Sequence, residues 1–316
     1  MKTVFMFPGQ GSQEVGMGHE LAESIPEIAE LYRRANEIVG YDLAALCFDG
    51  PQEKLNTTEF SQPGIFVTSV ACLEAMRMGG RAEDLREIKP EACIGLSLGE
   101  YTALYAAGAM EFAEALRLVQ LRGKAMHAAA EKRKGAMVSI IGLDEAGVEK
   151  LCQAVLSEKV KEDDGGETLL SAVNFNCPGQ IVVSGSIRAC DRAAELAQQY
   201  GAGRAVPLRV AGAFHTDMMA PAVETLRDAL RECDFSAPKT PVIANVDAQI
   251  YGAAEDIPEK LLRQLVSAVR WQPTIERLLD EGMQRFVEIG PGRVLTGLVK
   301  KTCRPRKAKP VIIQVC

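Results

Sequence analysis

Five residues, Gly95-Leu96-Ser97-Leu98-Gly99, limit the fold more than any other part of the chain. They follow a short apolar run, Ala92-Cys93-Ile94, and precede Glu100–Met110, a stretch rich in alanine and leucine. An apolar run of strand length, a tight G-x-S-x-G turn and a run of helix formers spell strand, turn and helix, the unit of an α/β protein. The glycines have a steric reason. A serine raised on a sharp strand-to-helix turn leaves no room for flanking side chains, which would collide with the neighbouring strand and helix. The helix that follows points its N-terminal amides at the serine, where they can stabilise a developing oxyanion. Ser97 is the candidate nucleophile; the alternative is a serine that merely builds a turn.

A second apolar run, Thr3–Phe7, feeds the glycine-rich turn Pro8-Gly9-Gln10-Gly11-Ser12 and reads as a buried strand. No G-K-[S/T] follows it, so it is not a phosphate loop. Helical periodicity runs from about Gly18 to Val39. From about Lys134 to Val210 the pattern changes. Ala136–Ile141 reads as a strand, Glu145–Leu156 as a helix, and a polar loop at Lys159–Glu167 leads to strands at Leu169–Phe175 and Gln180–Ser184. Ala189–Tyr200 is helical in pattern and Ala205–Val210 returns as a strand. The order βαββαβ is the ferredoxin-like arrangement. At 316 residues, and roughly 100–200 residues per domain, the chain has room for one large and one small unit. The expectation is a large α/β domain from residues 1–133 and 211–316, carrying a small ferredoxin-like domain, residues 134–210. After Gly290-Pro291-Gly292 comes a helical stretch and then a basic, proline-broken tail, Cys303–Lys309.

Serine is a weak nucleophile without a base. The chain offers three histidines, His19, His127 and His215. His19 lies in an early polar stretch and reads as surface or helix start. His127 follows Met126 in a helical pattern with no partner motif. His215, in Ala211-Gly212-Ala213-Phe214-His215-Thr216, follows an expected strand, and loops at strand C-termini are where α/β sites assemble. His215 is the candidate base. No acid to orient it is evident: Asp217 is too close in sequence and reads as a helix cap, so a backbone carbonyl could hold the ring instead.

Composition narrows the remaining classes. A net charge of −6 argues against nucleic acid as partner, because phosphate neutralisation needs a basic face. No stretch reaches the 18 or more apolar residues of a membrane span, and the apolar run before Pro8 is too short for a signal core. Nine cysteines, an odd number with no CxxC pair, read as reduced thiols of a cytoplasmic protein. Dispersed histidines and unpaired cysteines give no metal-ligand cluster.

One charged residue is out of place. In the helical pattern from Glu111 to Ala128, apolar residues recur at Phe112, Ala115, Leu116, Val119, Gly123 and Met126. Arg122 falls on that buried stripe, whereas Arg117 and Lys124 fall on the opposite, solvated face. A buried guanidinium needs an anionic partner: a bidentate substrate carboxylate, or an internal Asp or Glu.

These residues resemble a known family. Phe7-Pro8-Gly9-Gln10-Gly11-Ser12-Gln13, Gly95-x-Ser97-Leu98-Gly99-Glu100-Tyr101, Arg122-Gly123 and Phe214-His215 are similar to the malonyl-CoA:acyl carrier protein transacylases. Val173-Asn174-Phe175-Asn176-x-Pro178-Gly179-Gln180, Asn245-Val246-Asp247 and Glu288-Ile289-Gly290-Pro291-Gly292 extend the likeness from about Val4 to Lys301. The resemblance implies an α/β-hydrolase-like large domain with a ferredoxin-like insert and a ping-pong transfer. Malonyl passes from coenzyme A to Ser97 and on to the phosphopantetheine thiol of an acyl carrier protein, with no bound cofactor and no metal. It implies that Gln10 and the Leu98 N–H form the oxyanion hole, that Arg122 pairs with the malonyl carboxylate, and that the Gln264 main-chain carbonyl orients His215. Phe214 would narrow the acyl pocket. The protein would act as a monomer. Two positions depart from the family pattern: Leu96 stands where many relatives have histidine, and His127 where glutamine is frequent.

Other readings compete with fatty-acid synthesis: a trans-acting polyketide acyltransferase, an editing acyl hydrolase on the same scaffold, and an idle carrier-protein-binding module. A hydrolase of neutral acyl chains should not bury a cation in its acyl pocket, and an idle module has no need of Ser97, His215 and Gln10 together. The basic residues Lys300, Lys301, Arg304, Arg306, Lys307 and Lys309 are the candidate surface for steering an acidic carrier protein.

Overall fold

The computed structural model describes residues 1–79, 85–158, 162 and 166–316; most of the expected polar loop Lys159–Glu167 lies outside them. Among the described residues the strands are β1 (Thr3–Phe7), β2 (Ala92–Gly95), β3 (Ala136–Ile141), β4 (Leu170–Cys177), β5 (Gln180–Gly185), β6 (Arg204–Pro207), β7 (Arg285–Ile289) and β8 (Val311–Val315). They form two sheets, β2-β1-β7-β8 and β4-β5-β3-β6.

The first sheet is parallel throughout. Its strands are apolar on both faces, as parallel strands buried between helices must be. Val4, Met6, Ile94 and Phe286 point into one core, while Phe5, Phe7, Cys93 and Val287 point into the other. The helix Thr58–Arg77 is buried on nearly every side, in keeping with its lack of a polar face. The helix Phe112–Lys132 crosses it closely at Gly123, where an added Cβ would lie 2.9 Å from the Thr58 carbonyl oxygen.

The second sheet is antiparallel, with the ferredoxin-like βαββαβ order. Val138, Ile140, Ile181 and Val183 face its own helices, Glu145–Ser157 and Ile187–Leu196, in a separate core. Met137 and Val182, on the other face, pack into the larger core. Its edge strand β4 bonds to the large unit through Phe175 N–H to the Val269 carbonyl (3.0 Å) and Val269 N–H to the Val173 carbonyl (2.7 Å). The fold is thus α/β, a hydrolase-like parallel sheet carrying a ferredoxin-like antiparallel unit.

The structure corrects several sequence expectations. The helix expected over Gly18–Val39 is two, His19–Ser24 and Pro26–Val39, because Pro26 starts the second at the position where its missing N–H costs nothing. The helix after the G-x-S-x-G turn stops at Ala106, with Gly108 in the left-handed region at φ 74°. β6 ends at Pro207 rather than Val210. The basic tail is no tail: a helix, Val294–Arg306, runs through Pro305, and β8 completes the sheet beyond it. β8 also brings the C-terminus against the helix Thr58–Arg77, where Cys72 and Cys316 form a disulfide, so not all nine thiols are reduced. Among the described residues, no helix is long and apolar enough to cross a membrane.

Candidate active site

The elbow is built as its glycines require. A Cβ on Gly95 would lie 1.9 Å from the Gly99 carbonyl, and one on Gly99 would lie 2.1 Å from the Phe7 carbonyl oxygen of β1. Between them Ser97 sits at φ 53°, a left-handed conformation that costs a non-glycine residue roughly 1–2 kcal/mol. The helix Gly99–Ala106 starts directly after it. Beside β2, the segment Pro241–Ile243 adds a short parallel pairing, with Cys93 N–H donating to the Pro241 carbonyl. That pairing delivers Asn245 beneath the elbow. Its Nδ2 donates to the Gly95 carbonyl and its Oδ1 accepts from the Ser97 N–H, both at 2.7 Å.

His215 comes from the loop after β6 and is also left-handed, at φ 64°. Its Nε2 lies 3.0 Å from Ser97 Oγ and its Nδ1 lies 2.7 Å from the Gln264 carbonyl oxygen. A carbonyl only accepts, so Nδ1 carries the proton and Nε2 is free to accept from the Ser97 hydroxyl. Burial, reinforced by the nearby Arg122 charge, lowers the His215 pKa to about 4, which keeps the ring unprotonated and free to accept a proton at neutral pH. Asp217 does not cap the turn that follows; Thr216 does, its Oγ1 accepting from Met218 N–H at 3.3 Å.

Arg122 is buried on the inner stripe of its helix at 1% exposure, with Arg117 and Lys124 exposed on the other side. Its Nη1 donates to Gln62 Oε1 (2.6 Å), and its Nη2 donates to Ser97 Oγ (3.0 Å) and Gln264 Oε1 (2.9 Å). All three acceptors are neutral, and among the described residues Nε has no acceptor. Among the described residues no Asp or Glu pairs with it, so the internal salt bridge weighed above is not what the fold provides. Burial lowers its pKa.

The remaining expected residues fall around this centre. Gln10 lies in the turn after β1, its Nε2 donating to Thr58 Oγ1 at 3.2 Å. A Cβ on the preceding Gly9 would lie 2.3 Å from the Leu96 carbonyl oxygen, which shows how closely this turn packs on the elbow. Leu98 is fully buried at the start of the elbow helix, and Phe214 is buried next to His215. His19 is elsewhere, stacked on Phe48 with ring centroids 4.8 Å apart. His127 stays on its helix, its Nδ1 without a partner among the described residues. The basic cluster is not at the site. Val311, which follows Lys307 and Lys309, pairs with Arg285 at the start of β7, whereas Ser97 follows the end of β2. Arg306 is already paired with Asp280, and Lys301 donates to Gln180 Oε1. Four site residues had no role in the sequence reading: Gln62, Glu100, Asn245 and Tyr251. For Glu100 a signal existed, a lone carboxylate in the first turn of an otherwise apolar helix. Among the described residues no group of histidine, cysteine or acidic side chains could hold a metal ion.

The chain matches the acyl transferase domain family over residues 4–313. It belongs to that family. This acyl transferase is 43% identical over 306 residues to the malonyl CoA-acyl carrier protein transacylase of Bacillus subtilis, covering 97% of this chain and 92% of the relative. The Escherichia coli K12 protein of the same name is 41% identical over 298 residues, covering 94% and 91%. Among solved structures, the acyl transferase resembles the malonyl CoA-acyl carrier protein transacylase of Coxiella burnetii, with a TM-score of 0.90 at 37% identity, covering 100% of this chain and 94% of the other. A malonyl-transacylase solved in complex with a type II polyketide synthase acyl-carrier protein superposes with a TM-score of 0.89 at 39% identity, covering 99% and 95%.

Proposed function

We propose that this protein moves malonyl from malonyl-CoA to the phosphopantetheine thiol of an acyl carrier protein, supplying extender units for fatty-acid synthesis. Ser97 Oγ attacks the thioester carbonyl while His215 Nε2 takes its proton. Gln10 Nε2 and the Leu98 N–H hold the oxyanion; the Ser97 N–H is committed to Asn245 and is not free for that task. As the tetrahedral adduct collapses, the C–S bond breaks and His215 returns the proton to the departing coenzyme A thiol. The carrier-protein thiol then attacks the Ser97 ester, His215 taking and returning a proton in the same way. Arg122 pairs with the malonyl carboxylate, and Phe214 limits the width of the acyl pocket. The Gln264 carbonyl keeps His215 in the tautomer this sequence needs.

One observation carries the reading: a buried guanidinium touching the nucleophile and bonded only to neutral acceptors. Such a cation gains most from an anionic acyl group, which favours malonyl over acetyl and transfer over hydrolysis of neutral chains. The proposal includes a cytoplasmic monomer with no bound cofactor, its large domain formed by residues 1–133 and 211–316 and its small domain by 134–210. Intact-mass measurement tests it. Malonyl-CoA should add one malonyl group to the wild type and none to Ser97→Ala, while acetyl-CoA labels poorly. Labelling that survives in Ser97→Ala would refute the assignment.

A further inference from the structure

Behind the reacting residues lies a carboxylate that the transfer steps do not use. Glu100, three residues after Ser97, is fully buried, and three donors converge on it. Gln264 Nε2 donates to its Oε2 at 2.6 Å and the Asn245 N–H to the same oxygen at 3.2 Å, while the Tyr251 hydroxyl donates to Oε1. Each of the first two leads to one half of the reacting pair. Gln264 is the residue whose main-chain carbonyl holds His215, and its side-chain amide is fixed at both ends, Oε1 on Arg122 and Nε2 on Glu100 and the Ser97 carbonyl. Asn245 is the residue that clamps the elbow at Gly95 and Ser97. A glutamine amide has one way round that places a donor on its oxygen and an acceptor on its nitrogen, so Arg122 and Glu100 together set its orientation.

We propose that Glu100 is a positioning residue for the transfer: through Gln264 and Asn245 it holds the base and the nucleophile in register with each other and with Arg122. The assignment rests on the malonyl-transfer reading above. Burial pushes the Glu100 pKa up to about 7, against the pull of its three donors and Arg122. A carboxyl kept buried at such a cost, with three donors aimed at it, is being used as an acceptor.

Three variants test this, each measured for malonyl transfer and, after 15N-histidine labelling, for the Nδ1 proton resonance of His215, one of only three histidines. Glu100→Ala removes the acceptor and should lower kcat by about 10²-fold, the size of effect that a misplaced catalytic group produces. KM for malonyl-CoA should stay within about threefold, because Arg122 remains. The hydrogen-bonded Nδ1 proton signal should weaken or move. Glu100→Gln keeps one oxygen for Gln264 and Asn245, and its amide can donate to the Tyr251 hydroxyl, so it should recover most of the lost kcat. Should Glu100→Ala not fold, Gln264→Ala, which keeps the main-chain carbonyl but drops the oriented amide, should give the same kcat loss and the same change at His215. Wild-type kcat with an unshifted His215 signal in Glu100→Ala, or in Gln264→Ala where that is the only folded variant, would overturn the proposal. So would an equal kcat loss in Glu100→Ala and Glu100→Gln, which would mean that charge alone matters. Failure of the wild type itself to form a malonyl ester would instead overturn the functional reading.

Discussion

The two halves of the proposed site, nucleophile and base, are built on opposite plans. The nucleophile half is local: β1 and its turn, β2 and the elbow are adjacent strands, and Gly95, Ser97 and Gly99 lie within one pentapeptide. The base half is assembled from afar, with Gln62, Arg122, His215 and Gln264 drawn from separate elements and joined by side-chain contacts and one main-chain carbonyl. Both halves hold their reacting residue left-handed, but for different reasons. Ser97 is forced there by a turn with no spare space; His215 is held there by a carbonyl contact and a capped turn. Close backbone packing makes the first half rigid, whereas the second depends on a chain of polar contacts that one substitution can break.

The predictions test that contrast. His215→Ala should slow malonyl transfer by roughly 10²–10⁴-fold, the usual contribution of a general base, while leaving the elbow folded. Equal thermal stability with the rate loss would sharpen the comparison; a collapsed fold would show that the two halves are not separable. Next in size, Arg122→Ala should reduce kcat/KM for malonyl-CoA by roughly 10²–10³-fold, the equivalent of a few kcal/mol at 1.4 kcal/mol per decade. Acetyl-CoA should lose little, because it has no second carboxylate, and lysine should rescue malonyl poorly for want of a planar fork. Equal losses with both thioesters would mean that Arg122 serves the fold and the carboxylate is recognised elsewhere.

The smallest effect is a shift along the pH axis. In the wild type, reaction of Ser97 with a neutral sulfonyl fluoride should persist well into acid and fail only as His215 takes a proton, at about 4. Arg122 is one of the two causes of that lowering, so Arg122→Ala should raise the midpoint toward the ordinary histidine value of about 6.5. An unmoved midpoint would remove Arg122 from the electrostatics of the base. The same depressed pKa has a stability consequence of definite sign. The unfolded chain takes up a proton first, so stability from this residue is present above the ordinary histidine range and is lost as pH falls toward about 4.

The local half was legible in the sequence because steric demands repeat as a pattern: glycine, any residue, serine, any residue, glycine, between an apolar run and a helix. Arg122 was legible for a related reason, since a charge on an apolar stripe breaks helical periodicity. His215 emerged by elimination among three histidines, and Gln10, Leu98 and Gln264 only through the family likeness. Gln62 and Tyr251 left no such mark, and Asn245 stood in the likeness without a role. Each is an ordinary polar residue locally, and only the crossing of two helices or the pairing beside β2 makes it part of the site. The same limit explains the missed β8 and the Cys72–Cys316 bond: both depend on a sheet edge that the order of residues alone does not reveal. Pro305 read as a break because proline usually ends a helix, yet here it falls in the last turn.

The small antiparallel sheet has its own core, yet it grips the larger unit at two places that matter. Its last strand, β6, runs by a short segment straight into the His215 loop, and its edge strand, β4, is bonded to Val269, just beyond the helix that ends after Gln264. Base and orienting carbonyl are therefore both leashed to it, whereas Ser97 is rooted in the parallel sheet. In mechanical terms the small sheet is a handle on the imidazole, and through Arg270 N–H, which donates to the Asn245 carbonyl at 2.8 Å, it also reaches the clamp beneath Ser97.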